Sequence, residues 1–279
     1  MATKTTVAVT ASTVAASIDH SLLQPQLTYL AVDDGLALAR ARACASVCVR
    51  PCDVARAAAA LAGSAVRVCS VIGFPHGSVT TATKLAEAAE ALRLGAVELD
   101  VVINVAALRS GDDALVRAEL EALTALAAGA GGATVKVICE NAYLSAAEKR
   151  RAFTIAVRAG AAFLKTSTGY GPSGSTPDDL RLMRDVIAAE GAAGRCAIKA
   201  AGGIRTLDAW LEAARCGATR VGATATAAIL DEFAARAAAT GGVLRVDVEP
   251  PRPLEQPADA GGPAAAGPPA GGGAAAGSY

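Results

Sequence analysis

Residues 196–222 read Cys196-Ala-Ile-Lys-Ala-Ala-Gly-Gly-Ile-Arg205-Thr-Leu-Asp-Ala-Trp210-Leu-Glu-Ala-Ala-Arg-Cys-Gly-Ala-Thr-Arg-Val-Gly222, one complete strand–turn–helix–strand unit. Residues 196–200 are predicted as a strand, and Gly202-Gly203 break it. Thr206 then opens a helix with Leu207, Trp210, Leu211 and Ala214 on one face. Residues 219–222 begin the next strand. Outward from this unit the same alternation recurs, with further strands predicted at 14–18, 45–49, 66–72, 97–103, 135–139 and 162–165. These are short β-branched runs rather than strict alternations, as suits parallel strands covered on both faces. Between them lie helix signals. Ser145-Ala-Ala-Glu148 is a capping box, and Thr176-Pro177-Asp178-Asp179 supplies a cap, a first-turn proline and acids at the positive end of the helix dipole. Met183 and Trp210 read as core. Eight such strands predict an α/β fold, a closed (β/α)8 TIM barrel. The rival, an open doubly wound sheet, lacks a G-x-G-x-x-G turn after its first strand.

Length and composition agree with one large domain. The chain has 279 residues, 53% of them hydrophobic and only 3% aromatic, with 26 basic against 26 acidic side chains. A zero formal charge without a basic run excludes the electrostatic footprint of nucleic-acid or anionic-membrane binding. The seven cysteines have no C-x-x-C spacing, which argues against a disulfide framework or a zinc ribbon and points to the cytoplasm. No signal peptide or membrane-spanning run is evident. The domain expectation is an N-terminal extension over 1–13, a barrel over 14–248, and a flexible, disordered tail over 249–279, where Ala, Gly and Pro dominate.

In such a barrel, polar residues at strand ends face the active site. Asp19 is expected to follow the first strand, while Asp100 and Asn104 lie within Glu98-Leu-Asp-Val-Val-Ile-Asn104. Lys136 and Glu140 belong to the fifth strand, and Lys165 and Lys199 end the sixth and seventh. A single lysine in an apolar strand reads as a structural ion pair, because an unpaired buried ammonium is costly. Two lysines ending consecutive strands carry a further meaning. At about 4 Å and an effective dielectric near 20 they repel by roughly 4 kcal/mol, about three pKa units, which brings one amine from about 10.4 toward neutrality. A neutral amine attacks carbonyl carbons and forms Schiff bases, and a carboxylate such as Asp100 moves the protons. Gly202-Gly203 and Gly222 follow the last two strands, where backbone N–H groups commonly build a phosphate site. His20 and His76 are read as structural.

These residues resemble the deoxyribose-phosphate aldolase family, a class I aldolase family, across nearly the whole barrel. The matching stretches are Ile18-Asp-His-Ser-Leu-Leu23, Ser46-Val-Cys-Val49, Val71-Ile-Gly-Phe-Pro-His-Gly77, Glu98-Leu-Asp-Val-Val-Ile-Asn104, Lys136-Val-Ile-Cys-Glu140, Phe163-Leu-Lys-Thr-Ser-Thr-Gly-Tyr170, Lys199-Ala-Ala-Gly-Gly-Ile-Arg205 and Arg220-Val-Gly222. The resemblance implies that Lys165 forms the Schiff base, that Lys199 lowers its pKa and takes part in proton transfer, and that Asp100 donates and accepts protons through an ordered water. Gly169, Gly202, Gly203, Gly222 and Thr224 would hold the 5-phosphate, Asp19 would be a polar partner near the lysines, and Cys48 would line the pocket. The implied reaction is reversible cleavage of 2-deoxy-D-ribose 5-phosphate to D-glyceraldehyde 3-phosphate and acetaldehyde, a step of deoxyribose phosphate catabolism. It implies no cofactor and no metal, because the protonated imine is the electron sink. Small sugar phosphates and aldehydes are the implied partners, and a homodimer stays open.

Two departures from the family pattern stand out. Asn141 replaces the usual Thr, and Thr224-Ala225 replaces a Ser-Ser pair, so Ala225 brings no hydroxyl to the phosphate. The terminal Tyr279 resembles the tail tyrosine of some members, which assists proton transfer beside the imine; an inert tail is the alternative. The remaining rivals are a lysine-dependent barrel aldolase for another aldehyde pair, a phosphate-binding isomerase, and a catalytically inert sugar-phosphate binder.

Overall fold

The computed structural model describes residues 4–254. Eight parallel strands close into a barrel in chain order. They are β2 (Ile18–Leu22), β3 (Ser46–Val49), β4 (Arg67–Ile72), β5 (Glu98–Val102), β6 (Thr134–Ile138), β7 (Phe163–Lys165), β8 (Ala197–Ala201) and β9 (Arg220–Ala223). Helices α2 (Tyr29–Ala41), α3 (Val54–Ala60), α4 (Thr81–Arg93), α6 (Asp113–Gly129), α7 (Ala146–Arg158), α8 (Pro177–Ala189) and α9 (Leu207–Arg215) connect them on the outside. The short α5 (Val105–Arg109) precedes α6, and α10 (Thr226–Ala237) follows the last barrel strand. No helix among the described residues is long and apolar enough to cross a membrane.

Local sequence explains the helix starts. The Ser145 hydroxyl accepts from the Glu148 N–H at 3.3 Å while the Glu148 carboxylate accepts from the Ser145 N–H at 2.7 Å, the reciprocal box. Thr176 caps α8 through the Asp179 N–H at 3.2 Å, and Thr206 caps α9 through the Ala209 N–H at 3.3 Å. Met183 and Trp210 are buried, and the Trp210 indole N–H donates to the Ser17 hydroxyl at 2.9 Å. That bond satisfies the one polar atom of a large apolar side chain.

The N-terminus differs from the expectation of a strand at 14–18. Val14 lies in a one-turn helix, α1 (Ala11–Ala15), opened by a capping box between Thr10 and Thr13. The first barrel strand starts at Ile18, so Asp19 lies within it rather than after it. Its neighbours are Ser46 on one side and Gly222 on the other. Two further strands lie outside the barrel: β1 (Thr5–Thr10) pairs antiparallel with β10 (Val243–Val248). Just beyond β10, Glu249 accepts from Arg181 at 2.8 Å and Arg184 at 3.4 Å, fastening the chain to α8.

Candidate active site

Strand register brings the charges together. Lys165 of β7 and Lys199 of β8 are direct cross-strand partners, and so are Asp100 of β5 and Lys136 of β6. Side chains two apart on a strand share a face, so Glu98 and Asp100 both point into the barrel. Asp100 is the hub. Its Oδ2 accepts from Lys165 Nζ and from Lys199 Nζ, each at 2.7 Å, and its Oδ1 accepts from Lys136 Nζ at 2.8 Å. Beneath it, Asp19 meets Lys199 at 2.5 Å and Arg220 at 2.6 Å. Glu98 meets Lys136 at 2.6 Å and Arg220 at 3.4 Å. The Ser46 hydroxyl completes the Asp19 environment at 2.6 Å.

All of these groups are buried. Four buried basic groups (Lys136, Lys165, Lys199, Arg220) and the exposed Arg67, 3.0 Å from Glu98, face three carboxylates (Asp19, Glu98, Asp100), so basic groups outnumber acidic ones. For Asp19, Asp100, Lys136, Lys199 and Arg220 burial opposes ionisation, yet the pairing outweighs it. Lys136, Lys165 and Lys199 together hold the Asp100 carboxyl well below the ordinary range. Lys199, Lys136 and Arg220 do the same for Asp19. In the other direction Asp100 and Asp19 raise Lys199, and Asp100 leads the groups that raise Lys136. Lys199 is therefore a firmly held cation. Lys165 has the fewest ties: Asp100 is its sole carboxylate contact among the described residues, and it shares that oxygen with Lys199. The bare pairwise repulsion expected from sequence is thus mediated by a shared carboxylate.

Lys165 is also the lysine that opens upward. It lies in the wall of a cavity of about 470 Å³ at the C-terminal face of the barrel. The other walls are the loops after β7, β8 and β9, with Gly169, Gly202, Gly203, Gly222 and Thr224. Gly202 has a positive φ of +84°, and a Cβ there would sit 2.8 Å from the Gly174 Cα, so only glycine fits this turn. No described residue engages the backbone N–H groups of Gly169, Gly203 and Thr224 in a backbone hydrogen bond. Helix α10 starts two residues beyond Thr224, and its N-cap residue, Ala225, makes no side-chain capping bond. The missing hydroxyl therefore leaves orphan N–H groups and the positive end of a helix dipole just beyond Thr224 in the cavity wall, an arrangement able to receive an anion. Arg205, which the sequence reading quoted without a role, adds an exposed cation at the same wall.

The remaining sequence candidates divide. Asn104 caps α5 through the Ala107 N–H at 3.0 Å. His20 is buried, pairs with the Thr226 hydroxyl at 2.8 Å, and is pushed down to about 4 by burial. His76 is exposed, in the wall of a neighbouring cavity of about 330 Å³. Cys48 is fully buried below the mouth, its Sγ 3.7 Å from Asp100 Oδ2, and hydrogen bonding with Cys69 lowers its thiol. Cys48, Cys69 and Asp100 offer three ligand atoms within 4.8 Å of one another. Three ammonium groups on the same carboxylate oppose a dication there. Tyr279 lies outside the described residues. Lys136, Glu98 and Arg220 complete the cluster without a role that the sequence assigns them. The available signal was a charged residue inside each apolar strand.

Comparison with known proteins agrees with this geometry. The chain is 46% identical over 215 residues to a deoxyribose-phosphate aldolase of Rhodopirellula baltica, covering 77% of this chain and 87% of the relative. It is 40% identical over 220 residues to that of a Thermoanaerobacter strain, covering 79% and 96%. Among solved structures, the deoxyribose phosphate aldolase of Aeropyrum pernix superimposes with a TM-score of 0.73 at 30% identity, covering 80% of this chain and 92% of that one. The family model of the DeoC/LacD aldolases matches residues 13–235. With its lysines converging on one buried carboxylate inside a closed barrel, the chain belongs to the DeoC/LacD family of aldolases.

Proposed function

We propose that this aldolase reversibly cleaves 2-deoxy-D-ribose 5-phosphate to D-glyceraldehyde 3-phosphate and acetaldehyde through a Schiff base on Lys165. One observation carries the reading. Lys165 and Lys199 share one oxygen of Asp100, and only Lys165 of the cluster's lysines lies in the wall of the cavity that the glycine-rich loops after β7, β8 and β9 also line. Those loops cradle the phosphate, and the aldehyde end reaches Lys165.

The free amine of Lys165 attacks C1, and loss of water leaves an iminium. Asp100 then removes the proton of the C3 hydroxyl, directly or through water. The C2–C3 bond breaks, its electron pair moves into the iminium to give an enamine, and C3 leaves as the aldehyde of glyceraldehyde 3-phosphate. Return of a proton to C2 and hydrolysis of the imine release acetaldehyde. Asp100 suits this relay because it touches both Lys165 and Lys199 at 2.7 Å, so a proton passes between them without leaving the site. The iminium is a cation and the enamine is not, so Lys136 and Lys199 are the partners that Asp100 keeps throughout. The seven unpaired cysteines fit a reducing cytoplasm.

Treatment with acetaldehyde and borohydride tests the reading. An ethyl group on Lys165 alone is the expected outcome; label on Lys199, or no label, overturns it.

A further inference from the structure

Glu140 stands outside the charge cluster and has no part in the steps above. It follows β6 in the left-handed region, with φ +49°, one of two non-glycine residues among those described to do so. Such a conformation costs a side-chain-bearing residue free energy and persists where neighbouring contacts over-determine it. Here those contacts run to one residue. The buried carboxylate accepts from the Thr168 backbone N–H at 3.3 Å and from the Thr168 hydroxyl. The Thr168 hydroxyl oxygen in turn accepts from the Tyr170 N–H at 3.0 Å. The Tyr170 phenol donates to the Leu23 carbonyl at 3.0 Å, and its ring meets the Phe74 ring edge-on at 5.4 Å.

This chain of bonds fixes the segment that begins at Lys165 and carries Gly169, whose N–H faces no other backbone acceptor. With both polar groups of Thr168 turned toward Glu140, the Thr168–Gly169 peptide has one orientation. Tyr170 is at the same time held across the mouth from β7 to the β2 loop. The other end of the segment is fastened separately: the Thr166 hydroxyl donates to the Ala201 carbonyl at 3.0 Å, and the Asn141 N–H donates to the Thr166 carbonyl at 3.0 Å. Lys165 therefore keeps its place without Glu140, whereas Gly169 does not.

We propose that Glu140 is a positioning residue for phosphate recognition, acting through Thr168 to hold the Gly169 side of the anion cradle; the inference rests on the aldolase reading above. Glu140→Ala isolates it, because both donors of Thr168 converge on the carboxylate oxygen Oε2, and alanine offers them no acceptor. The variant is expected to raise KM for 2-deoxyribose 5-phosphate about tenfold, the scale of one lost charged hydrogen bond, with kcat within about threefold. For unphosphorylated 2-deoxyribose, kcat/KM stays within about twofold of the parent by the same reasoning, as does the rate of borohydride labelling of Lys165 by acetaldehyde. Thr168→Val gives the same KM rise, the double variant adds nothing further, and Thr168→Ser, which keeps the hydroxyl, stays near the parent. Equal losses on both substrates, or additive effects of the two changes, overturn the role of Glu140. A parent that takes no label at Lys165 overturns the aldolase reading itself, and the two failures are thus distinct.

Discussion

Replacing Lys199 by leucine tests how the cluster keeps Lys165 reactive. Lys165 Nζ and Lys199 Nζ each lie 2.7 Å from the same Asp100 oxygen, so they are separated by at most twice that distance, about 5.4 Å. At an effective dielectric near 20, two unit charges at that distance repel by about 3 kcal/mol, which corresponds to about two pH units. Removing the Lys199 charge relieves this repulsion and also frees Asp100 to hold Lys165 more tightly. Both changes favour the protonated amine, so the neutral nucleophile forms only at higher pH. The acidic limb of the kcat/KM profile for Lys199→Leu is expected to move up by about two pH units, with activity at neutral pH down by about two orders of magnitude and recovering under alkaline conditions. Asp19 keeps Arg220 at 2.6 Å and Lys136 at 3.7 Å, so the variant retains partners for its buried carboxylate; circular dichroism checks the fold. A profile whose acidic limb stays in place refutes the argument that Lys199 tunes Lys165 by charge.

Two further outcomes follow from particular contacts. Ala225→Asp supplies the N-cap that α10 lacks, which stabilises the helix by about 0.5–2 kcal/mol. It also sets a carboxylate next to Thr224 at the proposed phosphate site, so thermal unfolding should shift up while KM for the phosphorylated substrate rises and that for 2-deoxyribose does not. His20 is held neutral down to about pH 4 against an ordinary value of 6.5, so the unfolded chain binds the extra proton between these values and stability falls as pH drops through that window. The loss reaches roughly 3 kcal/mol by pH 4, and urea unfolding of His20→Gln across pH 7 to 4.5 should show a smaller fall than the parent.

Much of the barrel was legible in the chain because its strands are apolar, short and separated by capped helices, signals carried by neighbouring residues. The capping residues Ser145, Thr176 and Thr206 and the strand-ending Lys165 were legible for that reason, whereas Lys199, expected at the end of its strand, lies in the middle of Ala197–Ala201 because the strand continues to Ala201. The N-terminal strand lies further along than the expected 14–18 because the Thr10–Thr13 cap turns Ala11–Ala15 into a helix, and because Ile18–Leu22 pairs with β9 from the far end of the chain. The pairing of β1 with β10 joins residues more than two hundred positions apart, and no local signal reports it. The same distance separates sequence from electrostatics. Sequence alone determined that charged residues stand in apolar strands and that two of the lysines lie on neighbouring ones. Only closure of the barrel decided that Asp100 lies between Lys136, Lys165 and Lys199, that Asp19 and Glu98 share Arg220, and that Lys199 is held as a cation while Lys165 faces the cavity. A strand's pattern says which residues point inward, but the charge a buried group carries depends on the sum of its neighbours, and those come from every strand of the ring.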